Sequence, residues 1–190
     1  MQNYADFRLS SDSINLHAGP GKTEPFDQSG DRTQASLIYV LTGVTEDLAS
    51  RAPASGRWSV LECVEHVAVS EDYLFSQIQA SSAAQAPLIN RERAERIAVV
   101  CLDRTRKIQA PKEGQPSGRF ATLADAVEHF SATRRRAIEF VKSSQEDLRC
   151  RLTSHPIIGT ANCYEMLLMI AVHPFRHAKQ IEEIKMAFGS

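Results

Sequence analysis

The sequence predicts an all-α protein: a four-helix bundle with an extra short helix and an irregular N-terminal extension. Three observations predict it. Tyr164 to Ile184 carries a helical period, in which Met166, Ile170, His173, His177, Ile181 and Ile184 follow at steps of four, three, four, four and three. Those steps put them on one helix face. Helix-opening signals stand ahead of two other amphipathic runs. Ser59 with Glu62 is a capping-box pattern, and Thr122 with Asp125 is an N-cap followed by an acidic first turn. Gly- and Pro-containing breaks then leave four long amphipathic segments, joined by two short connections and one long one, as a bundle requires.

The elements follow in chain order. Residues 1–27 have no sustained period and hold Ser10-Ser11-Asp12-Ser13, Gly19-Pro20-Gly21 and Pro25, which is loop chemistry. They form the extension, and 28–190 form one helical domain. A first helix is expected over about Gly30 to Thr42, with Leu37, Val40, Leu41 and Val44 as its apolar stripe. Thr45 to Gly56 is a connection. The second helix runs from Ser59 to about Ala80, its inward set being Val60, Val64, Val67, Tyr73, Leu74 and Ile78. Trp58 precedes the cap, where an apolar residue packs back on the first turn. Ser81 to Pro87 is a break. Asn90 to Ile108 is a shorter helix beside the bundle, polar at its start through Arg91, Arg93 and Arg96.

Lys112 to Gly118 is a loop. Thr122 opens a helix that reaches about Ser143, with Ala126, Phe130, Ala137, Phe140 and Val141 inward. Arg134-Arg135-Arg136 point in three directions and are expected to be solvated. Arg149 to Gly159 is expected to be a loop, broken by Pro156 and Gly159. Pro174 lies inside the last helix, where it lacks an amide hydrogen and opposes the carbonyl of Ile170. A kink or wide turn is expected there. No repeat and no sustained heptad is visible.

Composition narrows the function. The chain has 190 residues, 43% of them hydrophobic, enough for one domain with a sizeable core. Its 22 basic and 23 acidic side chains give a net charge of −1, so a nucleic-acid partner is not expected. The longest apolar run, Met166 to Val172, is far too short to span a bilayer. The start of the chain lacks the order of a secretory signal. Four cysteines, Cys63, Cys101, Cys150 and Cys163, are scattered with no C-x-x-C pair. They read as free thiols, and the expected location is cytoplasmic.

The chemistry centres on histidines. His173 and His177 are one turn apart on an otherwise apolar stripe, so both imidazoles can share one small cation. Core histidines bonded to a carbonyl or a buried water would have the same spacing. A third candidate, His66, lies about two turns into the helix opened by Ser59. His17, His129 and His155 have no matching motif and are read as surface or structural. The residues between the pair are Pro174, Phe175 and Arg176, so there is no H-E-x-x-H and no glutamate placed as a base. Glu62 is expected to cap its helix, and Glu165 to face elsewhere. Arg176 is either an anchor for an anionic substrate or a surface ion pair. Gln180 is a candidate for ordering a ligand histidine. Cys63, one turn from His66, is the cysteine nearest the triad in sequence.

W-S-x-x-E-x-x-x-H (Trp58, Ser59, Glu62, His66) and H-x-x-R-H-x-x-Q-I (His173, Arg176, His177, Gln180, Ile181) together resemble the DinB-like family of small metal-binding four-helix bundles. The resemblance spans roughly Thr33 to Phe188. It implies that His66, His173 and His177 hold one divalent metal, preferably zinc or nickel, and it assigns no catalytic side chain. Three neutral imidazoles leave a position open, as in catalytic sites. That position suits water, acidified by the ion, or a low-molecular-weight thiol, which a metal deprotonates. The implied enzyme is a thiol-dependent transferase or isomerase, or a hydrolase, acting on a small molecule. The alternative is a non-catalytic metal-binding or interaction bundle. Metal affinity is expected to fall as pH drops through about 6.5, where an ordinary imidazole protonates. A homodimer is expected from the family and from Leu37, Ile38, Tyr39 and Val40, consecutive apolar residues that one core face cannot absorb.

Overall fold

The structure, a computed structural model, describes residues 24–105 and 107–189, with the backbone alone for 24–31. Most of the predicted extension, His17 included, lies outside the described residues. Six helices are described: α1 (Glu24–Val40), α2 (Glu46–Ser50), α3 (Val60–Gln79), α4 (Arg91–Leu102), α5 (Leu123–Ser143) and α6 (Cys163–Ala187). Three short strands, β1 (Ser82–Ala83), β2 (Arg151–His155) and β3 (Gly159–Asn162), form one antiparallel sheet in the order β1-β2-β3.

Local chemistry sets the helix starts. Ser59 Oγ accepts from the Glu62 amide at 3.2 Å, and the Glu62 carboxylate accepts from the Ser59 amide at 2.7 Å. This is the predicted reciprocal cap. Thr122 caps α5 through the Asp125 amide at 3.1 Å. A second capping box, Asn162 with Glu165, starts α6. Asn90 caps α4 through the Arg93 amide at 2.9 Å. That helix stops at Leu102, short of the expected Ile108. Helix α1 starts at Glu24, before the expected Gly30. Helix α2 stands inside the expected Thr45–Gly56 connection, capped by Thr45.

Two segments depart from the sequence reading. The expected loop from Arg149 to Gly159 instead contains strand β2, which turns back into β3 with Leu152 opposite Asn162 and His155 opposite Gly159. The strands are short and lack alternating hydrophobicity, so only the turn residues stood out. Gly159 closes that turn at φ +70°, which a side chain would strain. Arg134, expected in solvent, is fully buried. Phe130, Arg134, Ala137 and Val141 form one i, i+4, i+7, i+11 stripe, so the arginine occupies a core position of α5. It is paired there in two bonds with Glu71, at 2.5 and 2.8 Å. Arg135 and Arg136 are exposed, as expected.

The four long helices α1, α3, α5 and α6 make the bundle, with α4 laid against α6. Helix α6 is central and touches α1, α3 and α4. Of the expected kink or wide turn at Pro174, the wide turn does not form, since α6 stays α-helical through that residue. The core has two parts. One gathers Leu74, Ile78, Ile97, Val141 and Met166 to Val172. The other gathers Leu37, Val60, Val64, Phe130, Ile181 and Ile184. On α6 the seam between them falls after Val172 and before Ala178, and on α3 after Ala68 and before Leu74. His173 and His177 fall in the first gap, and His66 stands at the edge of the second. Truncating a fully buried aliphatic such as Ile181 to alanine would cost about 2–5 kcal/mol.

Candidate metal centre

His66 comes from α3, and His173 and His177 from successive turns of α6. The sequence reading named these three, and the fold brings them together. Nε2 of His173 is 3.1 Å from Nε2 of His66 and 3.0 Å from Nε2 of His177. The candidate ligand atoms of all three lie within 4.8 Å of one another. The rings meet edge-on, at interplanar angles of 77°, 62° and 79°. They therefore point nitrogens at a common spot rather than stacking faces.

The hydrogen-bond partners fix the chemistry of those nitrogens. Nδ1 of His66 lies against the carbonyl oxygen of Gly114. A carbonyl only accepts, so Nδ1 carries the hydrogen and Nε2 presents a lone pair to the cluster. Burial lowers the His66 pKa to about 4, with Arg176 pushing the same way against the Gly114 bond. Burial, then the neighbouring histidines and cations, holds His173 and His177 well below the usual imidazole range. All three are neutral at pH 7. Nδ1 of His177 has no hydrogen-bond partner among the described residues.

This donor set fits a divalent ion. A tetrahedral site with metal–nitrogen bonds of about 2.0–2.1 Å sets ligand atoms roughly 3.3–3.4 Å apart. Two of the three pairs are within a few tenths of an ångström of that spacing. No carboxylate joins the histidines among the described residues, so the set is all-nitrogen and suits zinc, nickel, iron or copper.

A loop holds the third ligand. Glu65, next to His66 and buried, accepts from the amides of Ser117 at 2.7 Å and Arg119 at 3.1 Å. That bond pair fastens the 3-10 turn Lys112–Gly114 and the segment after it over α3. Gly114 leaves room at the contact, since any side chain there would make Ser70 and the imidazole give way. A Cβ there would lie 2.7 Å from Ser70 Oγ and 3.3 Å from His66 Cε1. Trp58 closes the other side, its ring centroid 4.8 Å from that of His66 and 6.2 Å from that of His177.

The family described as the DinB superfamily matches residues 30–181. The chain belongs to the DinB superfamily. Two solved structures share the fold of this DinB chain. One is described as TT2238, a four-helix bundle protein, with a TM-score of 0.51 at 16% identity over 84% of this chain and 98% of that one. The other is YfiT from Bacillus subtilis, described as a probable metal-dependent hydrolase with an unusual four-helix bundle topology. It has a TM-score of 0.56 at 15% identity, covering 87% of each chain. No curated protein sequence matches the chain.

In this DinB chain the histidines form part of the wall of a cavity of about 910 Å³. Other sequence candidates fall elsewhere. Glu62 is engaged in its cap. Glu165 caps α6 and binds Arg93 through two bonds of 2.7 Å. His129 pairs with Asp72. His155 accepts from the Ile157 amide at 3.2 Å and lines the cavity away from the triad's elements. Cys63 is sealed in the core and is not among the side chains that converge with the triad; burial pushes its thiol up. Cys101 is the cysteine that lines the cavity, its pKa pushed up to about 11 by burial. Arg176 is buried and donates to the carbonyl of Asp103, so it is not a surface ion pair. Gln180 accepts from Arg104 at 3.1 Å rather than from a histidine. Glu65 and Gly114 escaped the sequence reading. Gly114 lies in a Gly114-x-Pro116-x-Gly118 segment that reads only as a turn.

Proposed function

We propose that this chain is a metal-dependent enzyme in which His66, His173 and His177 hold one divalent ion, zinc or nickel, facing a small-molecule cavity. The observation that carries the reading is the convergence of three neutral imidazoles on the wall of that cavity. A divalent ion there would supply Lewis acidity and lower the pKa of a thiol or water in its open position. The chain's own part is to orient the ligands. Gly114 fixes the His66 tautomer, Trp58 shields the cluster, and Glu65 fastens the loop.

Thiol-dependent transfer or isomerisation is the leading reaction class. Glu62, Glu65 and Glu165 are each committed to backbone amides or to Arg93, which leaves Glu113 as the cavity carboxylate a water-activating route would have to use. A thiol bound to a metal loses its proton without a base. The cavity volume of about 910 Å³ is near the top of the usual range for small-molecule sites, with room for a low-molecular-weight thiol and a second substrate. Hydrolysis is the second reading, favoured by the description of YfiT. The four cysteines are free, which supports a reducing, cytoplasmic setting.

Elemental analysis after metal-replete expression tests the site. One ion per chain is expected in the wild type, with a sharp loss in His173→Ala and none in His155→Ala. Equal metal in all three, or none in the wild type, would overturn the reading.

A further inference from the structure

The cavity carries more positive charge than its own carboxylates can match. Six cationic side chains line it, Arg57, Arg93, Arg96, Arg104, Lys107 and Arg176, against Glu113 and Glu183. Two of the six are matched in close two-bond pairs. Arg93 holds Glu165, and Arg104 holds Glu183 at 2.7 and 3.3 Å. Arg96 has only a loose, exposed pair with Glu92 at 3.6 Å. Arg57 and Lys107 have no carboxylate partner among the described residues, and both are exposed. The same wall includes the apolar side chains of Leu74, Ile97, Ile158 and Met169. Arg57 adjoins Trp58 in the chain, and Trp58 packs on His66.

A low-dielectric wall strengthens the pull of cations on an opposite charge. An aliphatic wall removes apolar surface from water in proportion to its area. Both terms favour one ligand class. We propose that the cavity binds a small molecule with an apolar body and a carboxylate, the carboxylate drawn by Arg57 and Lys107, wall cations that no carboxylate pairs among the described residues. Its standing as a substrate rests on the enzymatic reading above. Its binding does not require the metal.

Trp58 is the single tryptophan of the chain and lines the cavity, so its fluorescence reports occupancy. The full chain is titrated with octanoate, octan-1-ol and octylamine, after EDTA treatment and again with zinc. Octanoate should bind about tenfold more tightly than either neutral or cationic analogue in both states, the order expected for two partly exposed charge contacts. The preference should shrink as salt is raised. The Arg57→Gln/Lys107→Gln protein should lose the preference and keep its octan-1-ol affinity. The Arg57→Lys/Lys107→Arg protein should keep both, which separates loss of charge from loss of fold.

Equal binding of octanoate and octan-1-ol in the EDTA-treated protein overturns the proposal. So does an absent octanoate response, or an undiminished preference in the doubly neutral variant. A preference that appears only with zinc also overturns it, while leaving the metal reading intact. If no metal binds and the preference persists, the metal reading falls and this one stands.

Discussion

Arg134 donates through Nη2 to the carbonyl oxygen of Ile170 at 2.7 Å. That carbonyl is the one Pro174 leaves without an amide partner. A buried unsatisfied carbonyl costs about 1–3 kcal/mol, and the guanidinium offsets that cost one turn before His173. The same side chain binds Glu71 through two bonds and Thr33 at 3.3 Å. A proline thus stands inside a continuous α6, and a second helix supplies the donor that the proline lacks.

Removing that donor should be severe. Arg134→Met leaves both the Glu71 carboxylate and the Ile170 carbonyl buried without a partner. A loss of about 3–5 kcal/mol is expected, as for other broken buried pairs. Arg134→Met with Glu71→Leu should recover part of it, since the stranded charge is gone while the orphan carbonyl remains. Urea unfolding of the three proteins measures both numbers. Near-equal midpoints for Arg134→Met and wild type would show that the pair contributes little.

Gly114→Ala tests the loop contact. Its Cβ would collide with Ser70 Oγ, 2.7 Å away, and crowd His66. Zinc affinity should fall about 10–100-fold, the usual effect of disturbing a group that orients a ligand. Adding Ser70→Ala should recover part of the loss by removing the struck atom. Competition against a chromophoric chelator reads the affinities. An unchanged affinity in Gly114→Ala would mean the Gly114 carbonyl does not set the ligand's orientation.

Acid should destabilise the chelator-treated protein in a defined window. His66 has a folded pKa of about 4 against 6.5 when unfolded. Between those values the unfolded chain binds more protons, so stability rises with pH and is fully present above about 6.5. It is lost as pH falls from there to about 4, by about 3 kcal/mol for His66 alone. Urea midpoints across the window should show a steeper acid slope for wild type than for His66→Asn. The depressed pKa also revises the expected onset of proton competition with the metal, which moves below the pH of about 6.5 inferred from an ordinary imidazole. Parallel slopes in wild type and variant would count against a buried neutral His66.

The four consecutive apolar residues of α1 divide in two. Leu37 and Val40 are buried, whereas Ile38 and Tyr39 are 41% and 59% exposed. We propose that the outward pair contributes to a homodimer interface. Light scattering should give twice the chain mass for wild type and the single mass for Ile38→Glu/Tyr39→Lys. A monomeric wild type at high concentration would end the idea.

Much of the bundle was legible because its signals are local. Ser59 with Glu62 and Thr122 with Asp125 announce helices through hydrogen bonds spanning three residues. The metal candidates were legible for a similar reason, since His173 and His177 meet by helix geometry alone. What joins distant segments was not. Arg134 was misplaced because its partner Glu71 lies 63 positions away. Gly114 was missed because its role depends on a close approach to α3 from 48 residues along the chain. The β2–β3 turn was visible, but its strands are too short and polar to carry a period.

His66 is oriented by a main-chain oxygen, and side-chain changes at Glu113 that keep the Lys112–Gly114 turn leave that oxygen in place. Glu113 lines the cavity beside it. The segment can therefore exchange side chains that face a ligand without rewriting the contact that aims the imidazole. Selectivity and ligand geometry are separable in this stretch, and a library randomised at 113 and at Lys107 to Gln109 is the natural place to retune what the cavity accepts.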